Sequence, residues 1–120
     1  MTNTAKRIGT EWESRIVKFL ISVLSLRHAA RHPTPGLLDE GDVHVWPFVI
    51  QAKAQKRFAL AEWVKATREQ ADRAHFPWSV VYVKAPGKPI GQGYAVTSIE
   101  EHRRLMAHVI DLTEKSSPEG

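Results

Sequence analysis

Thirteen residues, Gly41-Asp42-Val43-His44-Val45-Trp46-Pro47-Phe48-Val49-Ile50-Gln51-Ala52-Lys53, constrain the fold more than any other stretch. Two apolar-rich runs meet at Trp46-Pro47, which reads as a tight turn between antiparallel strands. Centring the turn there sets Val45 against Phe48, Val43 against Ile50 and Asp42 against Gln51. Side chains alternate along a strand, so Val43, Val45, Phe48, Ile50 and Ala52 share one face. Asp42, His44, Gln51 and Lys53 share the other. One face is apolar and the other carries an acid, an amide and an ammonium. Such a face is either an active-site layout or an ordinary solvent-facing one.

The elements around the hairpin follow from periodicity. Trp12, Ile16, Phe19, Leu20, Val23 and Leu24 recur at helical spacing and predict a first helix opening near Gly9. Thr10 and Glu13 have the T-x-x-E spacing of a capping box. Glu13 also lies at the margin of the apolar stripe, from which its carboxylate can reach over the sheet. Both roles remain open for it. A short first strand is expected after Arg27-His28-Ala-Ala-Arg31-His32, with Leu37 to Gly41 as a loop into the hairpin. The prolines after His32 argue against a helix that would make His28 and His32 metal ligands.

A second helix is expected from Phe58 to Ala74, with Leu60, Val64, Thr67, Ala71 and Ala74 inward. Arg68–Asp72 and Glu69–Arg73 would be exposed pairs one turn apart. Trp78 to Lys84 is an almost continuous apolar run and predicts a central strand. Ala85 to Gly93 reads as an open loop carrying Lys88, and Tyr94 to Ser98 as a last strand. Ser98 and Glu101 form a second capping-box pattern. Ile99, Leu105, Met106, Val109 and Leu112 define the apolar side of a closing helix. A single domain is expected over residues 1–112, with a polar tail at 113–120.

At 120 residues the chain can bury a core without staples. It has no cysteine, which excludes disulfides and thiolate metal sites. No apolar run approaches the roughly 20 residues needed to cross a bilayer, and the first residues lack a signal-peptide hydrophobic region. A cytoplasmic location is the expectation. The net charge of +4 points to an anionic partner, nucleic acid being the commonest.

G-T-x-W-E at Gly9 to Glu13, Gly41-Asp42, and the Gln51-Ala52-Lys53 triplet ending the next strand resemble the PD-(D/E)XK nuclease superfamily. Within it the chain is most similar to small Holliday junction resolvases of phage and archaeal type, from Gly9 to about Arg104. The resemblance implies an α/β fold with a restriction-endonuclease-like core, a central mixed sheet flanked by helices. It implies Mg²⁺ or Mn²⁺ as cofactor and a homodimer that resolves four-way DNA junctions. Catalytic roles fall on Glu13, Asp42, Gln51 and Lys53. Asp42, Gln51, the Ala52 carbonyl and Glu13 would be the metal ligands, since Mg²⁺ takes hard oxygens. Lys6, Arg7, Arg31, Lys56, Arg57 and Lys88 are the candidate phosphate contacts.

The departure is Gln51, where the family usually has Glu. It opens two alternatives. One is a catalytically inactive DNA-binding module of the same fold, the other a restriction- or transposition-type nuclease cutting duplex DNA. Locally, Asp39 or Glu40 could replace Asp42, and Lys56 could replace Lys53, although Asp39 and Lys56 have the wrong strand parity and Glu40 lies beyond Gly41. His44 and Gln70 are secondary candidates, with plain surface roles as the default.

Overall fold

The computed structural model describes residues 4–24, 36–37 and 42–116, with side-chain surroundings given for 9–24 and 43–116. Arg31, Asp39, Glu40, the His28/His32 pair and the last residues of the predicted tail lie outside them, as do the side chains of Lys6, Arg7 and Asp42. In chain order the elements are α1 (Thr4–Val23), β1 (Gly36–Leu37), β2 (Asp42–Val45), β3 (Phe48–Lys53), α2 (Leu60–Arg73), β4 (Trp78–Val83), a 3₁₀ turn (Ile90–Gln92), β5 (Tyr94–Val96) and α3 (Ile99–Lys115). The protein is α/β, and its strands form one mixed sheet in the order β1-β2-β3-β4-β5, β1 contributing two residues.

The hairpin has the register that its alternation predicts. Val45 pairs with Phe48, Val43 with Ile50 and Asp42 with Gln51. β3 and β4 run parallel, Ala52 beside Tyr82 and Lys53 beside Val83, and β5 returns antiparallel to β4. The parallel pair makes α2 the crossover, which places it against one face of the sheet. β1 covers the outer side of β2, with Leu37 opposite Val43, so Leu37 belongs to a strand and not to the expected loop.

Helices pack on both faces. Trp12, Ile16 and Leu20 of α1 bury against Val43 and Ile50, with Ala52, Val80 and Tyr82 around them. On the opposite face Trp63 of α2 buries against Val81 and Val83. β4 is central, as its composition predicts, and every second residue from Ser79 to Val83 is buried.

Several helix details differ from expectation. α1 begins at Thr4, ahead of the predicted start, so Thr10 and Glu13 lie inside the helix and form no N-terminal capping box. Ala5, Lys6 and Arg7 are good helix formers, and Gly9 does not interrupt them. α2 buries Trp63, Thr67 and Ala71, while Leu60 is exposed. An indole has more apolar area to hide than Leu60, and that rotates the helix.

At the start of α3 the Ser98 hydroxyl accepts from the Glu101 N–H at 3.0 Å, as a cap should. The Glu101 carboxylate does not turn back toward Ser98. It points inward, where it accepts from the N–H and, at 2.7 Å, from the hydroxyl of Ser79. Arg68 pairs with Asp72 at 2.8 Å as expected, yet it also reaches Glu101 at 3.0 Å and donates to the carbonyls of Phe76 and Pro77. It is a clamp between α2, the turn before β4, and α3, and not a simple surface pair. α3 continues to Lys115, past the expected domain end at Leu112. Most of its apolar side, Ile99, Met106, Val109, Ile110 and Leu112, is exposed.

Candidate functional site at the carboxyl end of β3 and β4

Because β3 and β4 are parallel, their carboxyl ends open on the same edge, and the Lys84 N–H donates to the Lys53 carbonyl at 2.9 Å. Ligands of open α/β sheets characteristically sit beyond such ends. Lys56 and Arg57 follow β3, and Lys88 lies in the loop after β4, all exposed. Arg15 of α1 reaches the Lys88 carbonyl at 3.4 Å, bringing another cation to this edge. The expected phosphate contacts did not include Lys84 and Arg15. Lys84 was legible, since it ends a strand read as the neighbour of the hairpin; Arg15 had no signal, being one polar residue of a helix.

Asp42 starts β2 directly opposite Gln51. Lys53 is two residues on, and alternation puts it on the same face as Gln51. Its ammonium lies 5.6 Å from the centre of the Trp63 ring, a cation–π contact that directs the stem across α2. The carbonyl of Lys53 is used on the β4 side, so strand alternation turns the Ala52 carbonyl toward β2, at the end where Asp42 begins. By backbone register Asp42, the Gln51 amide and the Ala52 carbonyl thus belong to one corner of the sheet, and all three residue types offer hard oxygens. In donor chemistry they fit Mg²⁺ or Mn²⁺.

Gln51 is held from the other side by α2. The Thr67 Oγ1 lies 2.6 Å from Gln51 Oε1 and 2.7 Å from the Trp63 carbonyl. One hydroxyl proton cannot serve two acceptors. If Thr67 donates to the Trp63 carbonyl one turn back, the amide must present its NH₂ to the hydroxyl and turn its oxygen away. In either orientation Thr67 fixes the amide. The candidate face is therefore not an open solvent face; α2 lies over it.

Glu13 belongs to the other helix layer. It rises from α1, which packs on the opposite side of the sheet, at the level where Trp12 Nε1 donates to the Tyr82 carbonyl at 3.0 Å. That level is the carboxyl end of the sheet, where β3 and β4 open. Tyr82 is itself half-buried there, and burial raises its phenol above the ordinary pKa. Among the described residues no group of three or more His, Asp and Glu is arranged to hold a metal.

No family model matches the chain, and no curated protein or solved structure matches it significantly.

The secondary candidates separate from the site. His44 packs edge-on to Phe76, ring centres 4.9 Å apart, toward the turn end of the hairpin. Gln70 is half-buried on α2 and not on a solvated flank. Lys56 lies beyond the end of β3, so strand parity no longer governs it. No described helix is long and apolar enough to cross a membrane.

Proposed function

We propose that the chain is a metal-dependent DNA endonuclease acting in the cytoplasm on branched DNA of the four-way type, working as a homodimer. The observation that carries this reading is the register that sets Asp42 opposite Gln51, two residues before Lys53, at the strand end that continues into the exposed Lys56 and Arg57. An acid, an amide oxygen and a lysine at a strand end followed by exposed cations suit phosphodiester hydrolysis on a polyanion. The mixed sheet with helices on both faces is compatible with the restriction-endonuclease-like core that the sequence resembles.

Asp42, Gln51 and the Ala52 carbonyl would hold the divalent cation, which when bound makes its water more acidic and draws charge from the phosphate. Lys53 stabilises the negative charge that builds on the phosphoryl oxygens, its stem steadied on Trp63. Thr67 keeps the Gln51 side chain in place. Lys56, Arg57 and Lys88 hold the DNA backbone, which orients the strand without reading its sequence. Glu13, across the sheet, is left out of this arrangement.

The test is cleavage of synthetic four-way junctions against linear duplex with Mg²⁺ or Mn²⁺. Asp42→Asn and Lys53→Ala are each expected to lower the rate at least about 100-fold, as loss of a charge-stabilising group does. Preference for linear duplex would instead indicate a restriction- or transposition-type enzyme. The Thr67–Gln51 contact favours one second reading, an inactive DNA-binding module in which the amide is retained for packing. That module binds junctions with a steep salt dependence and never cuts them. An intact junction with wild type, together with cutting by Gln51→Glu, would decide for it.

A further inference from the structure

α3 is the element least explained by the body of the protein. It is held at one side only, through Glu101 on Ser79, His108 beside the Trp78 ring at 6.1 Å, and Arg104 over the same ring at 5.6 Å. The side turned away is apolar. Ile99 is 89% exposed, Met106 47%, Val109 50% and Ile110 53%. With His102 and Thr113 among them they form one stripe along the helix, by the 3.6-residue period. A run of large apolar side chains on a seventeen-residue helix marks a contact surface.

The charges along its edge say what the contact is. Arg103 and Glu114 are eleven residues apart, close to three full turns, so both flank the stripe on the same edge. Their midpoint falls between His108 and Val109, in the carboxyl-terminal half of the exposed stripe, which leaves Ile99 of each copy at the end of the pair. In two antiparallel helices related by a two-fold axis, each edge faces the same edge of the other copy. An axis at that midpoint therefore sets Arg103 of each copy level with Glu114 of the other, twice over. Met106, Val109 and Ile110 lie at the centre and interleave across the axis. Arg103 already pairs with Glu100, which lies on the flank beyond it and accepts from its guanidinium at 2.6 and 3.1 Å. A guanidinium has five N–H donors, enough for a second carboxylate. Parallel pairing would instead turn each edge toward the opposite edge of the other copy and leave Arg103 and Glu114 at different levels.

We propose that two copies of this chain associate through α3, packed antiparallel about a two-fold axis between His108 and Val109. The partner is a second copy because the stripe and its charged edge are self-complementary. The interface is independent of whether the hairpin end cuts DNA. The helix is about 25 Å long, and a pair of that length buries less than the roughly 1,200–2,000 Å² of a standard interface. The expected dimer is accordingly of micromolar strength.

Sedimentation equilibrium on the full chain, from about 1 to 300 μM, reads the mass, with circular dichroism confirming helix content. The mass should rise from 13.6 kDa toward twice that value. Ile110→Glu should hold it at the monomer, because two charges would be buried at the axis. Arg103→Glu should weaken association about tenfold, and adding Glu114→Arg should restore it, since the swap rebuilds both pairs in reverse. A monomer at every concentration would overturn the proposal. So would a dimer indifferent to Ile110→Glu, or a charge swap that fails to recover what Arg103→Glu lost.

Discussion

The face of the sheet that α2 covers has two polar ends, and they are built in opposite ways. At the amino end of β4 the Glu101 carboxylate is 4% exposed, and each of its oxygens is engaged, by the Ser79 N–H, the Ser79 hydroxyl and Arg68. At the carboxyl end of β3 the buried-side oxygen belongs to a neutral amide, Gln51, held by one hydroxyl. Lys53 beside it is half-buried, and the chain then runs into the exposed Lys56 and Arg57. A carboxylate inside a protein is tolerated only when opposite charge and hydrogen bonds replace its water. Glu101 has that replacement from within the chain and is a fastener. The cations at the other end lie open to solvent, where an anion from outside can meet them. The contrast separates what holds the fold from what is available to a ligand.

The largest effect should come from the fastened end. Glu101→Ala strips Ser79 of its acceptors and leaves the clamp arginine without its buried partner, costing about 3 kcal/mol of stability. Arg68→Ala should cost less, roughly half, because Ser79 still satisfies the carboxylate. Urea unfolding of both variants reads the difference. Equal losses, or none for Glu101→Ala, would break the assignment of this end as structural.

A smaller effect is expected beside the open end. Gly93 packs so tightly that an added Cβ would lie 2.9 Å from the Val83 carbonyl oxygen and 3.3 Å from the Trp12 ring. Neither is the loose end of a flexible chain. Gly93→Ala should cost about 1–3 kcal/mol through forced displacement, read in the same unfolding experiment. It should also shift the Trp12 fluorescence, as the ring must retreat. A thermally neutral Gly93→Ala would mean that the loop after β4 is not anchored to α1 and that Lys88 is less fixed than the contrast requires.

What the sequence made legible follows the strength of local patterns. The hairpin register was readable because period-2 alternation and a Trp-Pro turn admit one pairing with a single apolar face. The central place of β4 was readable from its continuous apolar run. The cover over Gln51 was readable only in part: Thr67 and Ala71 fall on the inner stripe as expected, but the stripe admits Leu60 as readily as Trp63. Only packing against Val81 and Val83 chooses between them. Glu101 was hidden by a capping pattern that accounts for the same residue locally, while its partner Ser79 is 22 positions away. For Glu13 a wheel gives a residue's place on its helix and not the face of the sheet that the helix takes, and α1 takes the face opposite α2. The stripe on α3 was legible as apolar, but periodicity does not say what an apolar stripe meets.

The smallest prediction bears on the join between the two ends, Thr67. Thr67→Val keeps the shape and removes the hydroxyl that lies 2.6 Å from Gln51. Loss of one hydrogen bond to a neutral amide should cost about 1 kcal/mol, a third of the Glu101 effect. The informative readout is what the freed amide does. If Thr67 only helps to pack the helix, Thr67→Val lowers stability and leaves junction binding and cutting unchanged. If it positions Gln51 for the cation, Mn²⁺ dependence of cutting shifts to higher concentration, whereas Thr67→Ser, which keeps the hydroxyl, restores it. A carboxylate at position 51 would accept the Thr67 proton directly and lose the ambiguity that an amide has. Gln51→Glu in the Thr67→Val background should therefore cut less well than Gln51→Glu alone. Equal cutting would show that α2 contributes nothing to the geometry of this end beyond covering it.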